Sequence, residues 1–138
     1  MSDWLDIEVA KLLPHGAMAR NLVHDAPELV ENFYPSVSHP GLSAEERAAK
    51  LERLIRKAIR RADAAYHPPV GAMLRALLGL RYDLAPHDVP LRTRCEQAGL
   101  VLDIKPESFI RGHRENCLGI LAEALYELHP RKEALRGL

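Results

Sequence analysis

The sequence predicts an all-α fold, a compact bundle of about six to seven helices in a single domain of 138 residues. Hydrophobic residues make up 47% of the chain but aromatic residues only 5%, so the core is expected to be aliphatic. A core rich in Leu and Ala favours helix over sheet. Apolar residues also recur every three or four positions, whereas alternation with a period of two never persists for long.

The first third predicts three short helices and a loop. Apolar spacing indicates helices over residues 3–13 and 17–23. A third helix is expected to begin at Asp25, because Asp25 and Glu28 have the spacing of a capping box. The turn-forming sequence PSVSHPGL of residues 35–42 then indicates a surface loop.

The longest predicted helix begins at Ser43, where Ser43 and Glu46 form a capping box. It runs to the break at His67-Pro68-Pro69. One side of it is a narrow apolar seam with alternating steps of four and three. The seam consists of Ala44, Ala48, Leu51, Ile55, Ala58, Ala62 and Ala65. Because it is rich in Ala, another helix can approach it closely, and a partner or a second copy of the chain is one candidate for that helix.

The next helix is expected to end at Gly79 with a left-handed cap, after which Leu80 folds back onto the helix. Residues 81–87 predict a loop, and Asp88 predicts the cap of the following helix. The last helix is expected to resume after the preceding motif at Cys117 and to end before His129-Pro130. Residues 131–138 are expected to fray.

A helix-turn-helix-like segment is predicted near residues 90–114. Ala98 and Gly99 are small where the first helix would touch the second. Asp103 falls at the turn, where a residue that tolerates positive φ is required. Pro106 suits the first position of the second helix, since its missing N–H makes no difference there.

If this segment binds DNA, its basic residues divide into two groups. The phosphate contacts would come from Arg92, Arg94 and Lys105. The exposed side chains of the recognition helix would be Arg111, His113 and Arg114.

The net charge of zero hides an uneven distribution. Residues 1–42 carry two basic and six acidic residues, a net charge of −4, whereas residues 43–67 carry seven basic and four acidic residues, a net charge of +3. The long helix has a basic face formed by Arg47, Lys50, Arg53, Lys57, Arg60 and Arg61. This face would meet an anion such as a phosphate backbone. Alternatively, it is a solvated face, or it lies against the acidic N-terminal helices or a second copy, and this is the commoner role of such a face.

The sequence offers no constellation for catalysis or cofactor binding. The seven histidines form no metal-ligand pattern. His113 and Cys117 share a helical spacing, but two ligands make no zinc site, so we expect Cys117 in the core and His113 at the surface. The two cysteines are expected to be buried thiols. No signal peptide or membrane-spanning run is apparent, so a cytoplasmic protein is expected. Because the sequence offers no catalytic or cofactor-binding constellation, we expect a non-enzymatic protein without metal or cofactor.

Several short pieces of the chain share a pattern with a known class of module. They are the LRALLGL of residues 74–80, the RTR of residues 92–94, the pair Ala98-Gly99 and the PESFIR of residues 106–111. With these pieces, residues 51–128 resemble a small all-helical, helix-turn-helix-like module of bacterial regulatory and signalling proteins. The resemblance implies a regulatory or adaptor role.

The domain is therefore interpreted as one unit over residues 1–138, with acidic helices over 1–34 and the main bundle over 43–128. The function predicted is a regulatory or adaptor domain that acts through protein–protein contacts with a protein partner or as a homo-oligomer. The alternative is a helix-turn-helix transcriptional regulator that binds nucleic acid, against which the neutral overall charge counts.

Overall fold

The computed structural model describes residues 3–66, 69–81 and 88–131, and the predicted all-α class is confirmed there. Eight helices form in this part of the chain, one more than the upper end of the expected number. They are α1 (Asp3–Ala10), α2 (Ala19–Asp25), α3 (Pro27–Phe33), α4 (Ala44–Ala65), α5 (Val70–Leu77), α6 (Leu91–Leu100), α7 (Pro106–Gly112) and α8 (Arg114–Leu128).

Helices α4 and α8 form the centre of the fold. They pack against each other, while α2 and α3 cover one side of α4 and α1 covers α8. Helix α5 contacts both central helices, α6 packs against α5 and α7, and α7 in turn contacts α8. The core between them is aliphatic as predicted, with Phe33 and Phe109 as its two buried phenylalanines.

Helix α4 begins with the predicted capping box. The Glu46 N–H donates to the Ser43 Oγ at 3.1 Å, and the Ser43 N–H donates to the Glu46 carboxylate at 3.0 Å. Five of the seven seam residues, from Ala48 to Ala62, are buried against neighbouring helices of the same chain, whereas Ala44 and Ala65 at its two ends are exposed. The helices that approach the buried part of the seam are therefore α2, α5 and α8 of the same chain, so this part is not available to a partner or a second copy.

Two carboxylates of α4 cap the starts of other helices. Neither α2 nor α5 has a side-chain cap of its own. The Glu52 carboxylate accepts a hydrogen bond from the Ala19 N–H at 2.7 Å, and the Asp63 carboxylate accepts one from the Gly71 N–H at 2.9 Å. These contacts satisfy N–H groups that a helix start leaves without intrahelical partners. Glu52 and Asp63 thus turn towards neighbouring helices, whereas Glu45 and Glu46 in the first turn of α4 are exposed.

The N-terminal helices begin and end differently from the prediction. Helix α1 ends at Ala10, and α2 covers residues 19–25 instead of 17–23. Asp25 is not the cap of α3, whose N-cap is Ala26 without a side-chain hydrogen bond. Its carboxylate instead lies 2.8 Å from the His15 Nδ1, across the turn that precedes α2. A tertiary partner therefore takes the carboxylate that local spacing assigned to a cap.

The cap predicted at Asp88 is also wrong. The N-cap of α6 is Pro90, again without a side-chain hydrogen bond. The Asp88 carboxylate accepts hydrogen bonds from the side chains of Arg20 at 2.8 Å and Asn21 at 3.1 Å. Both contacts lower the pKa of Asp88, the Asn21 hydrogen bond most. Asp88 therefore joins α2 to the segment before α6 instead of starting a helix.

The end of α5 has the geometry that its sequence predicts. Gly79 has a φ of 69°, which is the left-handed conformation. The Leu80 N–H donates to the Arg75 carbonyl at 2.7 Å and the Gly79 N–H donates to the Ala76 carbonyl at 3.2 Å, the paired bonds of a Schellman motif. Leu80 is buried, as its predicted fold back onto the helix requires.

Three predictions fall partly outside the described residues. They concern the break at His67-Pro68-Pro69, the loop over 81–87 and the frayed tail over 131–138, of which residues 67–68, 82–87 and 132–138 are not described. The predicted end of the last helix is confirmed, because α8 stops at Leu128 and His129 is its C-cap. Across the described ranges, no helix combines the length and the apolar character that crossing a membrane requires.

Two glycine substitutions test the left-handed cap. Gly79→Ala is expected to lower the free energy of unfolding by about 1–2 kcal/mol, because a Cβ is unfavourable at positive φ. Gly119→Ala is the matched control: Gly119 lies inside α8, and a Cβ there meets no atom within 4 Å. It is expected to raise the stability by about 0.5–1 kcal/mol. Urea denaturation measures both changes, and equal effects of the two substitutions would contradict the assignment.

The capping box of α4 predicts a dependence of stability on pH. The hydrogen bond from the Ser43 N–H holds the pKa of Glu46 below its ordinary value of 4.5. A carboxyl whose pKa is lowered in the folded state contributes stability above its unfolded pKa and loses it as the pH falls through the folded pKa. The stability advantage of the native protein over Glu46→Gln is therefore expected to be full at neutral pH and to shrink below pH 4.5. Urea denaturation measures the stability difference between the native protein and Glu46→Gln. A difference that stays constant from neutral to acid pH would refute the predicted dependence on the Glu46 carboxylate.

Candidate functional site

The segment from α6 to α7 has the turn geometry predicted for it. Asp103 has a φ of 55° and is the only non-glycine residue with positive φ among the described residues. Gly99 lies where the helix meets the following chain, and a Cβ there would come within 2.8 Å of the Ile104 carbonyl oxygen. The Ile104 N–H donates to the Gly99 carbonyl at 3.0 Å. The small residue and the turn residue thus have the structural roles that the sequence assigned to them.

The second helix of the segment is shorter than predicted. Helix α7 ends at Gly112, and His113 has a φ of −133°, so it interrupts the helix before α8 begins at Arg114. His113 is half-buried, with its ring stacked 6.4 Å from Phe109. Arg114 is also half-buried and belongs to α8, with its Nε buried and without a hydrogen-bond partner in the described part of the chain. Arg111 therefore lacks the two exposed neighbours expected on one recognition helix.

Arg94 is not a surface residue, so the expectation that it contacts a phosphate is wrong. Its side chain is 1% exposed and donates four hydrogen bonds to backbone carbonyls. The Nε donates to Val89 at 2.8 Å, one terminal nitrogen donates to Leu77 at 2.6 Å, and the other donates to Leu13 at 2.6 Å and Pro14 at 2.9 Å. The guanidinium group joins three separate parts of the chain instead of facing solvent.

Carbonyl groups bind the Arg94 guanidinium, and no carboxylate of the described residues forms a salt bridge with it. Leu77 is the last residue of α5, where the helix dipole favours a cation. Burial lowers the pKa of Arg94, while the charge of Asp88 raises it. The helical spacing contained a signal for this burial, because Arg94 lies three residues after Leu91 and four before Ala98, on the apolar face of α6.

Three of the residues predicted to bind DNA remain exposed. The Arg92 side chain is 85% exposed, and its Nε lies 3.7 Å from the Glu96 carboxylate in a long surface ion pair. Lys105 is the N-cap residue of α7, and Arg111 lies in its last turn. These three cations are the surface that α6 and α7 offer to an anion.

A second cationic surface lies on α4, and we call it the basic ridge. At about 100° per residue, its members lie within roughly 100° of one another around the helix axis, opposite the buried side. They are Lys50, Arg53, Lys57, Arg60 and Arg61. All but the half-buried Lys50 are exposed.

Arg47, the sixth residue of the predicted basic face, does not belong to the ridge. Its side chain is 12% exposed and lies 2.7 Å from the Glu31 carboxylate. It also donates to the Tyr34 carbonyl at 3.2 Å. The alternative in which acidic N-terminal helices cover the basic face therefore applies to Arg47 in α4, since Glu31 in α3 is its partner.

Within the described ranges, the five ridge residues form no salt bridge. The carboxylates of α4 that might neutralise them are used elsewhere. Glu52 caps α2 and lies 3.1 Å from Arg56, and Asp63 caps α5. Glu52 and Asp63 are therefore not paired with the ridge residues, and Glu46, which lies four residues before Lys50, bonds to Ser43 in the capping box.

A cleft of about 210 Å³ lies beside the ridge, between α4 and the end of α3. It is lined by Tyr34, Lys50, Arg53, Leu54 and Lys57. The Lys50 Nζ lies 5.9 Å from the centre of the Tyr34 ring, a cation–π arrangement. Burial raises the pKa of the Tyr34 hydroxyl, and the charge of Arg53 partly opposes this. The cleft combines three cations with a phenol that stays protonated at neutral pH.

The two cysteine side chains lie in the core of the described part of the chain. Cys95 and Cys117 are both buried, as expected. Burial raises the pKa of Cys117 to about 11, so its thiol is protonated at neutral pH. Residues 3–66, 69–81 and 88–131 contain no group of three His, Cys, Asp or Glu side chains placed to hold a metal ion.

No protein-family model, curated protein or solved structure matches this chain.

Substitution of Arg94 is expected to destabilise the whole domain. Arg94→Met removes the donor from several buried carbonyls and is expected to lower the free energy of unfolding by about 3 kcal/mol or more. Arg94→Lys keeps the charge but not the planar arrangement of donors, so an intermediate loss is expected. Arg92→Met, two residues away on the exposed face, is the matched control and should change stability by less than about 0.5 kcal/mol. Similar urea midpoints for Arg94→Met and Arg92→Met would contradict the structural role of Arg94.

Proposed function

We propose that the protein is a non-catalytic adaptor domain that binds an acidic partner protein through the basic ridge of α4. The observation that carries the proposal is the set of five cations on the solvent side of this helix, which have no salt bridge within the described residues. Complementary charge on a partner would steer its approach and fix its orientation.

The ridge is a rigid surface. From Lys50 to Arg61 it extends about 17 Å at 1.5 Å per residue. The helix below it has a complete capping box at its start, and its other side is buried by α2, α5 and α8. A partner would therefore meet charges whose backbone positions are already ordered, which reduces the entropy lost on binding.

The exposed apolar residues favour this kind of interface over a large hydrophobic one. Among the described residues, the exposed large hydrophobic side chains lie on five different segments of the chain. They are Ile7, Val37, Tyr66, Leu100 and Ile110. Interfaces of obligate homodimers are large and more apolar than this. An acidic partner protein is thus the better fit, and a homodimer the weaker one.

A second candidate function is DNA binding by α6 and α7. It is supported by the positive φ of Asp103 and by the exposed cations Arg92, Lys105 and Arg111. Two observations weigh against it: Arg94 is unavailable to a phosphate, and α7 has only seven residues. The five unpaired cations of α4 also exceed the three that this segment exposes, so we rank it second.

A pair of triple charge reversals distinguishes the two functions. The ridge variant is Arg53→Glu, Lys57→Glu and Arg60→Glu. The matched control is Arg92→Glu, Lys105→Glu and Arg111→Glu, which changes the net charge equally on the α6–α7 surface. Each protein is tested for binding to labelled poly-L-glutamate, for binding to a mixed-sequence DNA duplex, and for cross-linking to proteins in a nuclease-treated cell extract.

The ridge variant is expected to bind poly-L-glutamate about tenfold or more weakly, because each lost charge-assisted contact is worth about 1.5 kcal/mol or more. The control variant is expected to lose much less affinity. Cross-linked protein partners should disappear with the ridge variant alone. Duplex binding that fails only in the α6–α7 variant, with unchanged cross-linking in the ridge variant, would overturn the adaptor function and support the alternative. A salt-sensitive dimer of the native protein in light scattering would identify the partner as a second copy.

A further inference from the structure

We propose that the cleft beside the basic ridge binds a phosphoserine or phosphothreonine side chain of the partner protein. The inference rests on the proposed function, since it names the group that the ridge recognises. The cleft is lined by Tyr34, Lys50, Arg53, Leu54 and Lys57 and has a volume of about 210 Å³.

The charges and donors of the cleft match a phosphate monoester. Such a group carries a charge of about −1.5 to −2 at neutral pH and three strong acceptor oxygens. The cleft offers the positive charges of Lys50, Arg53 and Lys57, and none of them has a carboxylate partner among the described residues. The planar guanidinium of Arg53 suits two phosphate oxygens at once, and the two ammonium groups suit the third. A carboxylate, with one charge and two oxygens, would leave part of this set uncompensated.

The wall of the cleft is held in place before any ligand binds. Tyr34 ends α3, where its N–H donates to the Val30 carbonyl at 2.8 Å. Its own carbonyl accepts a hydrogen bond from Arg47, and its ring lies edge-on to His39 at 5.8 Å. Tyr34 also lines the cleft, and because burial raises its pKa, its hydroxyl stays protonated at neutral pH. Leu54 provides an apolar contact for the carbon atoms that carry the phosphate.

The position of the cleft favours a phosphorylated protein over a nucleic-acid backbone. The three cations line one open, shallow cleft beside an aromatic ring, which suits a single dianion. The remaining ridge residues, Arg60 and Arg61, extend beyond it along the helix and suit acidic residues that flank a phosphorylated one. A duplex would instead place its phosphates along the whole ridge and leave the Tyr34 wall unused.

The test measures the binding of the full chain to defined peptide pools. The pools have random flanks and a fixed central phosphoserine, serine or glutamate, and a labelled DNA duplex and inorganic phosphate serve as further probes. The phosphoserine pool is expected to bind about tenfold more tightly than the serine pool, as one or two charge-assisted hydrogen bonds predict. Arg53→Gln and Lys57→Gln should abolish that preference, and Tyr34→Phe should reduce it by less.

The matched control is Arg61→Gln, which removes a ridge charge outside the cleft: it should lower the affinity for the phosphoserine and serine pools equally and leave the ratio between them unchanged. Circular dichroism verifies that each variant is folded, and amide chemical shifts with inorganic phosphate should change around Lys50, Arg53 and Lys57. Equal binding of the phosphoserine and glutamate pools would overturn the inference. The inference would also be overturned if Arg61→Gln and Arg53→Gln reduced the preference for phosphoserine equally. Tighter binding of the DNA duplex than of the phosphoserine pool would overturn it as well.

The partner cross-linking experiment separates this inference from the adaptor function. If phosphatase treatment of the extract removes the cross-linked partner as completely as the ridge variant does, both are supported. If the partner is lost with the ridge variant but survives phosphatase, the phosphate site is refuted and the adaptor function stands. If cross-linking is unchanged in the ridge variant, the adaptor function fails, and the phosphate site as a partner-docking site fails with it.

Discussion

The buried guanidinium group of Arg94 is the interaction on which the arrangement of the fold most depends. It donates hydrogen bonds to the turn after α1, the last residue of α5 and the segment before α6. These segments are far apart in the chain, so the acidic N-terminal helices and the helix-turn-helix-like segment are held together as parts of one packed structure. A buried cation is unfavourable unless it is hydrogen-bonded, and here each of the three guanidinium nitrogens donates to at least one backbone carbonyl. Arg94 is therefore a structural residue in the segment that looked most like a DNA-binding motif.

A second constraint acts through α4, whose two sides have opposite roles. Glu52 and Asp63 turn inward and cap α2 and α5, so they stabilise helices that lack caps of their own. The cations of the basic ridge face outward and have no acidic partner in the described part of the chain. The same packing that stabilises the bundle thus leaves a positive surface free for binding. This connection between helix capping and surface charge is the physical basis of the proposed adaptor function.

The features predicted correctly were those that neighbouring residues decide. The capping box of Ser43 and Glu46, the left-handed Gly79 and the turn residue Asp103 all follow from local backbone geometry, and all are present. The two errors of capping, at Asp25 and Asp88, have one cause: each carboxylate bonds to a side chain distant in the chain or across a turn. Spacing alone does not reveal such partners. The basic ridge was likewise predicted from helical periodicity, except for Arg47, which a residue of α3 neutralises.

The sequence by itself determined the all-α class, the capped start of α4, the left-handed end of α5, the end of α8 and the two cationic segments, because local propensity, capping and periodicity decide these. Only the tertiary structure decided which cations are available. It buried Arg94 against three carbonyl-bearing segments, paired Arg47 with Glu31 and divided the expected recognition helix at His113. It also brought Tyr34 beside Lys50, Arg53 and Lys57 to form a cleft. The physical reason is that exposure and neutralisation of a charge depend on groups that come close only when the helices pack.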